Sequence, residues 1–226
     1  MFRALIGAGA TGGRRGLAGF VDRSDLWAGP AALGDEAAAD PGAIGAGGIV
    51  AATLIATERG WARASDLRPG DRIVTFDSGL QTLRALGRGR LASAPRLPHR
   101  ARPLAVPAGA LGNRRPLTLL PGQSVLIESD KAEELYGDPF ALVPADALEG
   151  WRGIARIDPE AEIEVRFLEF DGDEIVYAEG MALVHCPRHR PIRVGTVEEL
   201  IAAGAGRAHL ALPAAQGRAL IAAMAA

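Results

Sequence analysis

What most constrains this chain is the density of its turn signals. Between residues 49 and 178, short apolar or β-branched runs are cut by Pro69-Gly70-Asp71, by Asp77-Ser78-Gly79 and by Asp171-Gly172. Glycine, proline and aspartate reverse a backbone cheaply, each for its own steric or hydrogen-bonding reason. The runs between these breaks suit strands and are too short for long helices. The clearest alternation is Glu162-Ile163-Glu164-Val165-Arg166-Phe167. In a strand it puts Ile163, Val165 and Phe167 on one face and the charges on the other. Asp171-Gly172 fits a tight hairpin loop, with residues 174–178 as the returning partner strand. Residues 49–57 read as one buried strand, and further strands are expected over 72–76, 81–86, 102–106, 117–120 and 125–128. Many short strands with close turns predict an all-β fold.

The flanks differ in texture. Residues 1–47 form a Gly/Ala-rich leader without sustained periodicity. In the tail, Thr196-Val197-Glu198-Glu199-Leu200 has the form of a capping box. Residues 214–226 read as helical, with Pro213 near the start. The expected division is a leader over 1–47, a β domain over 48–187 and a tail over 188–226 with one or two short helices.

Hydrophobic residues make up 48% of the chain and charged ones 23%, enough apolar material for a packed core. The formal net charge of −2 gives no overall attraction to nucleic acid or anionic lipid. Charge is nonetheless segregated. Eight arginines and no acids lie between Ser78 and Ile127, and the following stretch to Glu174 is acidic. The basic stretch carries no aromatic residue to stack on bases, so the two stretches are expected to face each other or water, and nucleic acid is not an expected partner. The single cysteine, Cys186, excludes an internal disulfide. No apolar run is long enough to span a bilayer, and the stretch after Arg14-Arg15 stops too early for a signal peptide. Cytoplasm is the default location, with export without a signal left open.

Two patterns invite a cofactor or metal. Gly7-Ala8-Gly9-Ala10-Thr11-Gly12 matches the dinucleotide pattern G-x-G-x-x-G. That pattern works when a helix opens from it, and Gly13, Gly16 and Gly19 are poor helix formers, so no cofactor is expected. His185-Cys186-Pro187-Arg188-His189 groups two imidazoles with a thiol, but His99 and His209 lack ligand spacing. An exposed loop after the last strand is expected there, with no metal. No G-x-S-x-G elbow is present, and Ser65, Ser78 and Ser129 sit beside turn formers.

One ordered set of segments goes further. Thr53-Leu54-Ile55-Ala56-Thr57-Glu58-Arg59-Gly60-Trp61 leads into Asp66-Leu67-Arg68-Pro69-Gly70-Asp71-Arg72-Ile73-Val74-Thr75 and then Asp77-Ser78-Gly79-Leu80-Gln81. Arg102-Pro103, the run from Ala108 to Asn113, Leu142-Val143-Pro144-Ala145 and Val176-Tyr177-Ala178-Glu179-Gly180 follow in the same order. This set resembles the bacterial Hint (hedgehog/intein) domains over about three-fifths of the chain. The resemblance implies an all-β horseshoe of two related halves, with short helices following it here. It also implies a site that cuts the backbone ahead of the domain's first residue. A Cys or Ser attacks the preceding carbonyl, and a central His helps protonate the departing amide nitrogen.

At the positions that match, this chain has other residues. Gly48 stands where the nucleophile belongs, and Gln123 stands for the central His in Leu119-Leu120-Pro121-Gly122-Gln123-Ser124-Val125. Gly172-Asp173-Glu174, with Asp173 at its centre, stands where many relatives carry a second His. Glycine has no nucleophile, and a carboxamide cannot exchange protons near neutral pH as imidazole does. The resemblance therefore implies a Hint-like module without self-processing, leaning against an enzyme and towards a structural or binding role with a protein as the class of partner. The alternative is self-cleavage or splicing by an unusual nucleophile, Thr53 being the nearest hydroxyl. Its β-branched character also explains Thr53 as a strand residue.

Overall fold

The structure is a computed structural model that describes residues 48–91, 97–188 and 209–225. Two β-sheets enclose the main core. The first contains β1 (Ile49–Val50), β6 (Ala85–Leu91), β7 (Leu104–Val106), β8 (Leu117–Leu119), β11 (Ala155–Arg156) and β12 (Ile163–Glu169), in the order β11-β7-β8-β1-β12-β6. The second contains β2 (Leu54–Thr57), β3 (Gly60–Arg63), β4 (Arg72–Thr75), β5 (Gly79–Thr82), β9 (Ser124–Glu128), β10 (Phe140–Pro144), β13 (Glu174–Ala178), β14 (Ala182–Cys186) and β15 (Leu210–Ala211). Its order is β15-β10-β9-β14-β13-β2-β4-β5, with β3 paired to β2. The pairing of β10 with β15 is parallel and the others are antiparallel. The mainly β class expected from the turn signals holds.

Ile55, Ile73, Leu104, Val143, Leu148, Val176 and Leu220 are fully buried in the main core. A smaller cluster lies on the other face of the first sheet. There Val165 packs with Leu91, Leu97 and Leu120, and Ile163 and Phe167 pack against it. The alternation along β12 groups Ile163, Val165 and Phe167 as expected, but on this smaller cluster; Leu168, on the opposite face, enters the main core. That opposite face is not purely solvated: Arg166 is buried, donating to Glu164 Oε1 at 2.7 Å and to the Val165 carbonyl at 3.3 Å.

Several local readings are corrected. Residues 49–57 are two strands in different sheets. The Ala51 amide stays with the first sheet, on the Glu164 carbonyl at 2.8 Å, while the Thr53 amide closes a turn on the Val50 carbonyl at 2.9 Å. Ala51 and Ala52 make this corner without glycine or proline, so no turn signal marks it. The segment 81–86 is likewise broken between β5 and β6 by the buried Leu83. Asp171-Gly172 is not a hairpin loop but a corner between sheets. β12 pairs with β6 from Ile163↔Leu91 to Glu169↔Ala85, and β13 pairs with β14 from Glu174↔Cys186 to Ala178↔Ala182. These long ladders satisfy more backbone groups than a pairing of β12 with β13 across the corner would leave in place.

A helix that periodicity did not reveal, α1 (Asp130–Tyr136), has legible ends. Ser129 caps it, accepting from the Lys131 amide at 3.1 Å, and Gly137 closes it at φ 77°. The expected C-terminal helix is α2 (Ala214–Ala225), with Gly217, Leu220 and Ile221 buried. A Cβ on Gly217 would meet Ala147 Cβ and Val143 Cγ1 at 3.0 Å, so this glycine lets α2 approach closely. The capping box at Thr196 lies outside the described residues. The segregated charges meet as ion pairs: Arg84 with Asp171 at 2.6 Å, and Arg102 with Asp158.

Because Val165 is fully buried among apolar side chains, Val165→Asp forces an unpaired carboxyl into the small cluster. It is expected to cost about 3 kcal/mol or more. Thermal or denaturant unfolding measures this, and an unchanged midpoint would show that the face is misassigned.

Candidate functional site

The turn joining β8 to β9 carries Gln123, whose amide closes on the Leu120 carbonyl at 3.0 Å. Its own carbonyl accepts from the Ala145 amide at 2.9 Å. With the backbone so fixed, the buried side chain reaches across to the start of β1. Its Oε1 accepts the Gly48 amide at 2.7 Å. Its Nε2 donates to the His185 carbonyl at 2.7 Å and the Ser124 carbonyl at 3.0 Å. Both carboxamide N–H groups are thus used, and the two carbonyls dictate which end of the carboxamide faces Gly48. One side chain ties the entry of the first sheet to β9 and β14 of the second.

In this geometry Gln123 holds three backbone groups at once. Expelling the Gly48 nitrogen requires delivering a proton to it. A carboxamide oxygen that accepts from that N–H delivers none, and the two N–H groups that could donate are turned to carbonyls. Gly48 itself, at φ 139°, offers no side chain.

The other sequence-derived positions fall elsewhere. Thr53 is buried beyond the Ala51 corner, and its carbonyl accepts from the Ala64 amide at 2.8 Å. Asp173 is exposed at the corner between β12 and β13, where Oδ1 accepts the Arg188 amide at 2.6 Å. Gly48 and Gln123 are therefore in direct contact, while the hydrogen bonds of Thr53 and Asp173 lead to other partners. Ser129 proves to be a helix cap, as its turn position suggested.

Sequence reasoning did not single out Glu179. It sits just past β13 with φ 46°, unusual for a residue bearing a Cβ. Its Oε1 accepts the Leu54 amide at 2.8 Å and its own amide donates to the Leu54 carbonyl at 2.9 Å, so it completes the hydrogen bonding of β2. The Glu-Gly pair after a strand was the available signal. Glu174 is also buried. Burial raises its carboxyl above the ordinary range, hydrogen bonds from Thr75 and Ser78 oppose the rise, and Asp77 and Asp173 add to it.

The exposed loop expected at His185-Cys186 is instead part of β14, and Cys186 is buried opposite Glu174. The alternation of β14, with Ala182, Val184 and Cys186 inward, explains this: Cys186 continues an apolar face. His209 lies 2.7 Å from Asp77, and His189 falls outside the described residues, as do Gly7 to Gly12. Among the described residues no three His, Cys, Asp or Glu side chains converge as metal ligands. No helix among them is long and apolar enough to cross a membrane.

Burial, and then the nearby Glu174 carboxylate, push the Cys186 thiol from 9.0 up to about 12. The folded protein thus favours the neutral thiol. The sign follows: this contribution to stability is complete below pH 9.0 and is lost as pH rises towards about 12. Wild type is expected to lose stability relative to Cys186→Ala over that window, by thermal midpoint. At pH 8 a disulfide reagent should label Cys186 only after denaturant is added, and rapid labelling of the folded chain would contradict its burial.

The family model described as the Hint domain matches residues 48–183. Among solved structures, the chain is similar to the bacterial intein-like domain from Clostridium thermocellum, at 13% identity and a TM-score of 0.45, covering 61% of this chain and 97% of that one. It is also similar to the gp41-1 intein, at 13% identity and 0.38, covering 62% and 98%, and to the DnaX mini intein from Spirulina platensis, at 15% and 0.33, covering 61% and 98%. These likenesses are distant. A comparison with curated proteins finds no match. The family model spans more than half of the sequence and begins at Gly48. The chain belongs to the Hint domain family, with the all-β fold of that family.

Proposed function

We propose that residues 48–187 form a Hint domain that does not process itself and serves as a structural or binding module between the leader, 1–47, and the tail, 188–226. The observation that carries this reading is the 2.7 Å hydrogen bond from the Gly48 amide to Gln123 Oε1. At the two matched positions the chain has a residue without a nucleophile and a side chain that accepts a hydrogen from the nitrogen it would have to protonate. Asp173, at the third matched position, bonds to the Arg188 amide. The partner class that fits such a module is a protein.

The domain's own contacts support a holding role. Gln123 satisfies three backbone groups that belong to separate segments of the chain, and each buried hydrogen bond contributes on the order of 1 kcal/mol net. The leader then joins the domain at Gly48, the residue before β1, whose amide is held by Gln123.

Losing a nucleophile or its proton-transfer partner costs on the order of 10⁴–10⁶ in rate in comparable catalytic sets. The wild-type chain is therefore expected to keep its full mass on incubation with excess dithiothreitol or hydroxylamine, which would capture a thioester or ester. Intact-mass measurement reads the result. A fragment beginning at Gly48 would refute the proposal, and one beginning at Thr53 would establish the hydroxyl alternative.

A further inference from the structure

The backbone at Gly48 has φ 139°, a conformation that residues with a side chain rarely adopt. The space beside it is also occupied. A Cβ placed there would lie 2.6 Å from Val165 Cγ1 and 2.9 Å from Phe167 Cε1, closer than Cβ atoms approach other atoms in proteins. Both side chains rise from β12, whose register sets Val165 opposite Val50 and Arg166 opposite Ile49. Val165 is fully buried and packs with Leu91, Leu97 and Leu120. A β-branched side chain on a strand has few χ1 choices, and a close-packed cluster resists its displacement.

We infer that Val165 and Phe167 close the space beside position 48, so that, on top of the strain its backbone would impose on any side chain, the site has lost the place for a nucleophilic side chain as well as the side chain itself. Their significance for processing rests on the non-processing reading above; the packing they describe does not. Val165 is the stronger barrier, because its Cγ1 is the nearer atom and is fixed one bond from its Cβ. Phe167 Cε1 is farther off and lies three bonds from its Cβ. Restoring a nucleophile at position 48 therefore requires a change on the facing strand.

The test uses the full chain carrying Gly48→Cys with Gln123→His. In this variant the introduced thiol loses its proton to solvent and the thiolate attacks the Gly47 carbonyl carbon. A C–S bond forms, the C–N bond to residue 48 breaks, and the departing nitrogen takes a proton from the introduced imidazolium. Added dithiothreitol then exchanges onto the thioester and releases residues 1–47. Release is compared with and without Val165→Ala, and is expected to be about tenfold faster or more with the shortened side chain. Equal release, including none from either variant, overturns the inference. A thermodynamic cycle checks it independently: Gly48→Ala and Val165→Ala should each lower the thermal midpoint, and together should lower it by less than the sum. A strict sum overturns it as well. If the Val165→Ala background does not fold, Phe167→Leu opens the second contact and is judged by the same two criteria. Cleavage of the unaltered chain would refute the non-processing reading, while the cycle would still decide this one.

Discussion

The structure depends on one buried carboxamide. Gln123 accepts the Gly48 amide with its oxygen and donates its two N–H groups to the carbonyls of Ser124 and His185. Those three backbone groups belong to the entry of the first sheet and to two strands of the second. A buried backbone amide or carbonyl without a partner is costly, and here one side chain supplies all three. The geometry allows no reversal of the carboxamide, since a turned group would set N–H against N–H at Gly48 and oxygen against two carbonyls. A local requirement for satisfied hydrogen bonds thus fixes how the sheets join where the domain begins.

The same junction depends on what is missing at Gly48. Without a Cβ, the chain comes in close against Val165 and Phe167, which belong to the small apolar cluster of the first sheet. The polar clamp on one side and the apolar contact on the other act on the same residue. Both contacts hold the backbone of residue 48 in place. The corner at Ala51 then takes the chain into the second sheet, where Glu179 completes the hydrogen bonding at Leu54 in a backbone conformation that such residues seldom adopt.

The sequence disclosed some of this and hid the rest for physical reasons. The alternation from Ile163 to Phe167 was legible because a strand between an apolar cluster and a more polar face must alternate. The helix at 214–225 was legible from its composition and from Pro213. The corner at Ala51-Ala52 was not, because alanine carries no turn signal and the bend is set by distant partners, Glu164 among them. Asp171-Gly172 looked like a hairpin because turn chemistry is local, whereas the choice of strand partner is made across the whole sheet. Cys186 looked like a loop residue because the apolar face of β14 is short and ends beside Pro187. At the site, the residue types at 48 and 123 were readable from their order within the family pattern. Their contact was not, nor was the part of Val165, which in the sequence is one more core valine.

Amide hydrogen exchange at Gly48, followed by NMR on the intact chain, reads the Gln123 clamp at the atom it holds. The Gly48 amide is expected to exchange slowly, and in a Gln123→Ala variant this protection should fall sharply. A Gly48 amide that exchanges at the rate of an unfolded peptide would contradict the clamp. So would the absence of that amide because residue 48 carries a free amine, which would mean that the chain had cut itself there.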